Sequence, residues 1–289
     1  MVIFAMFKTI EMTEYKNHPL YKNHTLDSAM DSLWNFYKSH FLVLFLISFI
    51  FSLGANMFSI TIDTENIMQL AYDEDLTAMR DMMRQIALMM LPVVLITLYG
   101  YVFLSVYILQ SPEQGNTYGR YFIDSWKYFL TFIIITILFI PVSILALGAG
   151  LLALLIGVLF SVVWLVALFA FILPLLMTEG NDISNAILRS FRLLHRHFGS
   201  NLGWTAVIIV ILLIVSIVIS GLALIPFAGT FLQTMANPEE AVDLVEMAKN
   251  PVFLVFSSAL NALVMPVFPI FAFVLCFNSQ AREDEMKDI

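Results

Sequence analysis

The sequence contains six long apolar runs in which no Asp, Glu, Lys or Arg occurs. About 20 residues of helix cross a hydrocarbon core of about 30 Å, and every run reaches that length. Because lipid offers no hydrogen-bond partner to peptide groups, each run must satisfy its own backbone as a helix. The runs are 41–60, 86–110, 128–147, 151–177, 204–228 and 252–278. They predict an all-α polytopic membrane protein with six transmembrane helices.

Composition supports this class and excludes others. The mean hydropathy is +0.88, and charged residues make up 12% of the chain, against roughly 25% in soluble domains. A net charge of −8 argues against nucleic acid as a partner.

The distribution of Lys and Arg predicts the orientation. Eleven of the 14 basic residues lie in the two termini and in the segments 111–127 and 178–203, whereas three lie in 61–85 and 229–251. By the positive-inside rule, both termini are predicted to be cytoplasmic. The predicted organisation is a cytoplasmic segment 1–40 that includes an interfacial helix, a transmembrane domain 41–278 and a cytoplasmic tail 279–289, with a short outer turn at 148–150.

Three predicted cytoplasmic segments align without gaps and suggest an internal repeat. Serines coincide in all three, and so do apolar residues before and after each serine. The spacing is typical of an amphipathic helix that lies at the membrane interface before a span begins. It predicts three parallel repeats of interfacial helix plus helical hairpin, although a chance match of short segments is the alternative. The segments are LDSAMDSLWNFYK (26–38), GRYFIDSWKYFLT (119–131) and SNAILRSFRLLHR (184–196).

Two of the cytoplasmic connections share a Gly-Asn signature, in 114–116 (QGN) and 179–181 (EGN). Glycine and asparagine tolerate a positive φ, so both are predicted as turns that lead the chain out of the membrane. Asn181 or Asp182 is expected to cap the helix that follows the second turn.

The residues around the second turn carry a resemblance to a known family. The stretch 173–194 reads LPLLMTEGNDISNAILRSFRLL, with Pro174 late in a span, an acidic-Gly turn and an Ala-x-x-x-Ser amphipathic helix. It resembles bacterial multi-pass proteins related to the membrane domain of glycerophosphoryl diester phosphodiesterases. The resemblance implies a six-span fold in the bacterial inner membrane. The phosphodiesterase domain of such fusions would follow the membrane part, and the sequence ends at Ile289, so no catalytic residues are expected from the resemblance.

No pattern in the residues favours catalysis, and we expect a protein that is not an enzyme and carries no metal or cofactor. The five histidines all lie in predicted cytoplasmic segments, and His195 and His197 would point about 200° apart on a helix. The intramembrane serines have no base near them in sequence, and glycine-rich phosphate loops are absent. A membrane-embedded enzyme is therefore the third interpretation.

A carrier or channel for a lipid-like or amphipathic solute is the second interpretation. Ionisable residues inside spans mark many ion and proton pathways, and the six runs contain none. The polar residues that stand out are Asn56 in the first span and Asn261 in the sixth. If the hairpins close into a ring, these two spans are neighbours and either amide can bond across helices. This interpretation requires a continuous polar cavity between the spans.

The preferred interpretation is a lipid-interacting scaffold or a partner subunit of another membrane protein. Arg189, Arg192 and Arg196 follow one another at spacings of three and four, which places them in one stripe on the third amphipathic helix. Planar guanidinium groups suit lipid phosphates, so the stripe is predicted to bind anionic headgroups. The simpler alternative is that the three arginines set only the orientation.

The orientation can be tested by labelling single cysteines in intact cells. Cysteines at Asp73 and Glu240 should react with an impermeant thiol reagent added outside, whereas a cysteine at Gly115 should not. Labelling at Gly115 with none at Asp73 would reverse the predicted orientation.

Overall fold

A computed structural model describes residues 15–59, 76–111, 118–225, 229 and 250–287. The turn predicted at 114–116 and the labelling positions Asp73, Gly115 and Glu240 lie outside these ranges. Within them the chain forms α-helices and one short 3-10 helix, Tyr15–Asn17, and no strand. The α-helices are α1 (Leu26–Ser39), α2 (Phe41–Ser59), α3 (Leu76–Gln110), α4 (Tyr118–Leu152), α5 (Leu154–Thr178), α6 (Ile183–Arg196), α7 (Phe198–Leu224), α8 (Pro251–Val264) and α9 (Val267–Glu285).

The six predicted spans are confirmed as helices that are long and apolar enough to cross a membrane. Five of them lie within α2, α3, α4, α5 and α7, and the sixth runs through α8 into α9. The sixth span is interrupted at Met265–Pro266 because two prolines, Pro266 and Pro269, lack the N–H groups that a continuous helix would need.

The amphipathic segments of the first and third repeats form separate helices, but that of the second does not. A single residue separates α1 from α2, and a single residue separates α6 from α7. The segment 119–131 instead lies inside the 35-residue helix α4, which continues directly into the span. The prediction of a separate interfacial helix there is therefore wrong, because nothing in the sequence between segment and span breaks the helix.

Local side chains explain where the separate helices begin. The Thr25 hydroxyl accepts a hydrogen bond from the Ser28 N–H, and the Ser28 hydroxyl accepts one from the Thr25 N–H, which is a capping box. The Asp182 carboxylate accepts hydrogen bonds from the N–H groups of Ser184 and Asn185. Gly180 has a φ of 109°, which confirms the predicted turn at 179–181.

The hairpin of α4 and α5 turns later than the sequence predicted. Helix α4 continues through 148–150 to Leu152, and the turn is made by Ala153 and Leu154, whose φ is 58°. Near the turn, two glycines let the backbones of the two helices touch. A Cβ added at Gly150 would lie 2.7 Å from the carbonyl oxygen of Gly157, and one added at Gly157 would overlap the carbonyl of Gly150. The Ser161 hydroxyl donates a hydrogen bond across the hairpin to the Ala146 carbonyl at 2.9 Å.

The chain divides into two compact units, each assembled from separate stretches of sequence. Unit 1 comprises 1–41, 101–212 and 266–289, and in it α9 packs against α1, α5 and α6, while α4 packs against α5. Its core is centred on α9, where Ile270 to Phe277 are all buried. Unit 2 comprises 42–100 and 213–265. In unit 2, the Phe51 ring packs directly on Gly100, and a Cβ added at Gly100 would lie 2.8 Å from that ring.

A buried histidine fastens the N-terminal segment to unit 1. His18 is 6% exposed, and its Nδ1 accepts a hydrogen bond from the Leu20 N–H. Its Nε2 therefore donates to the Ile108 carbonyl at 3.0 Å, and the ring packs 5.3 Å from Phe277. Burial lowers the pKa of His18 to about 4, so the imidazole is neutral at physiological pH.

The close contact of the α4–α5 hairpin predicts a sharp contrast between two Gly→Ala substitutions. Gly157→Ala should destabilise the protein by about 1–3 kcal/mol, because the added methyl group overlaps the facing backbone. Gly148→Ala is the matched control on the same hairpin, because no atom lies within 4 Å of its added Cβ and alanine favours the helix. Thermal unfolding in detergent measures both; equal melting temperatures for the two variants would contradict the close approach.

Candidate functional site

Helix α6 carries the arginine stripe, and its packing decides which arginines reach the surface. The buried side of the helix consists of Ala186, Ser190, Leu193 and Leu194. Asn201, at the start of α7, holds the end of α6 by donating hydrogen bonds to the carbonyls of Leu193 and Leu194. The rotation of α6 is therefore fixed, and the three arginines are separated by their surroundings.

Arg189 is shared between two carboxylates. Its Nε donates to both oxygens of Glu179 at 3.1 and 3.2 Å, and its two Nη groups donate to the two oxygens of Glu283. Arg196 donates from Nη1 to Glu283 at 2.6 Å, and Gln280 donates to Glu179 at 3.0 Å. We call Glu179, Arg189, Arg196, Gln280 and Glu283 the ion-pair cluster. It joins the ends of α5, α6 and α9.

The cluster is mostly withdrawn from solvent and balanced in charge. The side chains of Arg189 and Glu283 are 17% and 8% exposed. Hydrogen bonding from Arg189 holds the pKa of Glu283 below its usual value in spite of burial. Burial opposes the charged form of Arg189, but its bonds to Glu283 and Glu179 keep its pKa above the usual value. Two arginines face two carboxylates, so the cluster offers no excess positive charge to a lipid phosphate.

Arg192 differs from its two neighbours in the stripe. Its side chain is exposed and makes no ion pair within the described ranges. Leu188, one turn earlier on α6, is 63% exposed on the same side. A row of aromatic rings continues this surface: His195 stacks between Phe191 and Phe198, at centroid distances of 6.0 and 5.3 Å. We call Leu188, Phe191, Arg192, His195 and Phe198 the α6 surface.

The intramembrane polar residues lie together in unit 2. Asn56 and Asn261 both line a cleft of about 400 Å³, to which α2, α3, α7 and α8 contribute. The Asn56 amide donates a hydrogen bond to the Ser258 hydroxyl at 2.8 Å, which confirms that the first and sixth spans are neighbours. The polar side chains of the cleft are Ser52, Asn56, Thr97, Ser216, Ser220 and Asn261.

Unit 1 contains a larger groove of different character. It measures about 730 Å³, and its lining is apolar apart from Thr136 and Ser143. The Thr136 hydroxyl donates to the carbonyl of Phe132 in its own helix, so it offers little to a ligand. The groove matches the apolar surface that a span presents to lipid chains.

No sequence pattern marks the residues that decide these arrangements. Glu179 and Glu283 neutralise Arg189 and Arg196, two of the three arginines predicted to bind headgroups. The Ser258 hydroxyl accepts the hydrogen bond of Asn56. The only available signal for the first pair was that acidic residues occur on the same predicted side as the arginines, at Glu179 and in the Arg-Glu-Asp-Glu run 282–285.

The described ranges contain no group of three or more His, Cys, Asp or Glu side chains placed to hold a metal ion. Cys276 is buried in α9, and a thiol buried in apolar surroundings is unreactive. Comparisons with protein-family models, with curated proteins and with solved structures give no significant match.

The ion-pair cluster predicts that unit 1 depends on Glu283. Glu283→Gln leaves Arg196 without its carboxylate and Arg189 with only Glu179. We expect a loss of about 2–3 kcal/mol, between the values for an exposed pair and a fully buried pair. Thermal unfolding in detergent measures it. Because the pKa of Glu283 is lowered on folding, its contribution is present above its ordinary pKa and is lost as the pH falls through the lowered value.

Glu285→Gln is the matched control, since Glu285 is exposed near the end of the same helix and accepts one hydrogen bond from Asn23. This change should alter stability by about 0.5 kcal/mol or less. A Glu283→Gln variant as stable as Glu285→Gln would contradict the structural role of the cluster.

Proposed function

We propose that this protein is a non-enzymatic membrane protein that binds anionic lipid at the α6 surface and acts there as a scaffold or partner subunit. The observation that carries the proposal is the position of Arg192, an exposed guanidinium flanked by an exposed leucine and a row of aromatic rings. An amphipathic helix with this surface can place its apolar side chains among acyl chains while its arginine meets a phosphate.

The proposal is narrower than the stripe predicted from sequence. Arg189 and Arg196 are engaged by Glu179 and Glu283, so we assign them a structural role. Arg192 is the member of the stripe whose donors are available to a headgroup within the described ranges. The half-buried rings of Phe191 and Phe198 beside the exposed His195 suit the boundary between headgroups and hydrocarbon.

We further propose the bacterial inner membrane as the location, with both termini in the cytoplasm. The resemblance of residues 173–194 to bacterial multi-pass proteins supports the location. The distribution of Lys and Arg supports the orientation of the termini. In this orientation the α6 surface faces the inner leaflet, whose anionic lipids attract basic side chains.

A second candidate function is a carrier or channel for a lipid-like or amphipathic solute. The observation that favours it is the cleft in unit 2, where six uncharged polar side chains converge among apolar spans. A transport role requires that this cleft opens during a cycle, and flux into proteoliposomes is its direct test.

The lipid-binding proposal predicts opposite effects for two arginines of one helix. Arg192→Gln should weaken binding of phosphatidylglycerol about fivefold, since one basic residue near an anionic surface contributes about 1 kcal/mol. Its melting temperature in detergent should stay the same. Arg192→Lys should recover part of the binding, because charge returns without the planar fork. Native mass spectrometry of the purified protein measures the bound lipid.

Arg189→Gln is the matched control from the same helix. It should lower the melting temperature because it breaks the ion-pair cluster, and it should leave lipid binding of the folded fraction unchanged. Unchanged phosphatidylglycerol binding in Arg192→Gln would reject the α6 surface as a lipid site and reduce the stripe to structural and topological roles.

A further inference from the structure

Within the described part of the chain, the cleft in unit 2 is lined by hydroxyl and amide groups among apolar side chains, and by no charged side chain. Four helices contribute polar groups to it: Ser52 and Asn56 from α2, Thr97 from α3, Ser216 and Ser220 from α7, and Asn261 from α8. In each of these helices the polar group lies in a long run without Asp, Glu, Lys or Arg. Polar groups from separate apolar spans have therefore been brought to one place.

Within the described ranges, two of the six groups have hydrogen-bond partners. The Thr97 hydroxyl donates to the Val93 carbonyl at 2.8 Å, and the Asn56 amide donates to Ser258. The side chains of Ser52, Ser216, Ser220 and Asn261 make no hydrogen bond to any residue of the described ranges. In hydrocarbon an unpaired amide is strongly unfavourable, because lipid cannot replace the lost hydrogen bonds to water.

Asn261 lies where two cavities meet. A second cavity of about 280 Å³ shares Ile219, Ser220 and Asn261 with the cleft and is otherwise lined mainly by apolar side chains such as Ala223, Phe253 and Leu260. The polar cleft measures about 400 Å³, so each space is near the lower limit for small-molecule sites. A polar compartment beside an apolar one matches a ligand with a polar head and an apolar chain.

We propose that this cleft binds an uncharged amphipathic molecule whose head carries hydroxyl groups, with Asn261, Ser216 and Ser220 as its hydrogen-bond partners. An asparagine amide both donates and accepts, and serine hydroxyls do the same, so the site pairs with hydroxyl groups in either sense. Among the described residues, the lining contains no Asp, Glu, Lys, Arg or His, so none of them supplies a counter-charge to a charged head. This inference deepens the second candidate function and does not depend on the α6 surface.

The experiment uses the full-length protein in phosphatidylcholine nanodiscs. One sample contains a photoreactive diacylglycerol and the other a photoreactive phosphatidic acid with the same acyl chains and reactive group. The two probes differ in the charge of the head. We expect the diacylglycerol to label peptides of α7 and α8 at least fivefold more than the phosphatidic acid does.

Two substitutions localise the labelling. Asn261→Leu should lower diacylglycerol labelling of α7 and α8 at least threefold. Ser220→Ala should lower the labelling about twofold. Because this variant loses one hydroxyl with almost no change in volume, it tests the site even if Asn261→Leu fails to fold. Ser143→Ala, in the apolar groove of unit 1, is the matched control and should change nothing.

Several outcomes would overturn the proposal. Equal labelling by both probes would reject the selectivity for an uncharged head. Labelling that persists in folded Asn261→Leu and Ser220→Ala would reject these residues as ligands. If peptides of α7 and α8 are labelled no more than peptides around Ser143, the cleft holds water only. If the labelling is as expected but the flux assay in proteoliposomes shows no movement of diacylglycerol, the binding site stands and the carrier function is rejected. The Arg192 experiment is independent of all these results.

Discussion

The guanidinium of Arg189, shared between Glu179 and Glu283, joins the middle of α6 to the ends of α5 and α9. Glu179 follows α5, Arg189 lies in α6 and Glu283 lies in the last turn of α9. All three side chains are mostly withdrawn from water, so the loss of one partner leaves a charge without compensation. The same bonds set the rotation of α6 about its axis. Because Arg189 points towards the carboxylates, Arg192 is directed to the exposed side together with Leu188.

The spans follow from the sequence because a single physical requirement governs them. A charged residue cannot lie in hydrocarbon without large cost, so six stretches without charge mark six helices. No comparable rule assigns partners to charges outside the spans. Glu283 is 94 positions from Arg189, and nothing local distinguishes it from the exposed Glu285. The three arginines therefore looked equivalent in sequence, and only their packing separates two structural residues from one available to lipid.

Helix boundaries were harder to predict than helix existence, for a related reason. The repeat aligns 119–131 with two segments that form separate helices, yet α4 passes through it without a break. His40 and His197 end the helices before α2 and α7, whereas no comparable interruption precedes the span in α4. Burial shows a further difference: Ser125 and Ser190 are fully buried, whereas the corresponding Ser32 of α1 is not. Asn56 and Asn261 were recognisable as unusual residues, but their common cleft depends on serines that resemble many others in the spans.

The interwoven sequence of unit 1 has a consequence for its biosynthesis. Its pieces emerge from the ribosome in the order 1–41, 101–212 and 266–289, and the last of these carries both the central helix of the core and Glu283. Until α9 is translated, Arg189 has a single carboxylate partner and the apolar sides of α1 and α5 lack the helix that covers them. Assembly of this unit must therefore wait for α9, and a nascent chain that stalls before α9 would present exposed, incompletely paired surfaces to membrane proteases.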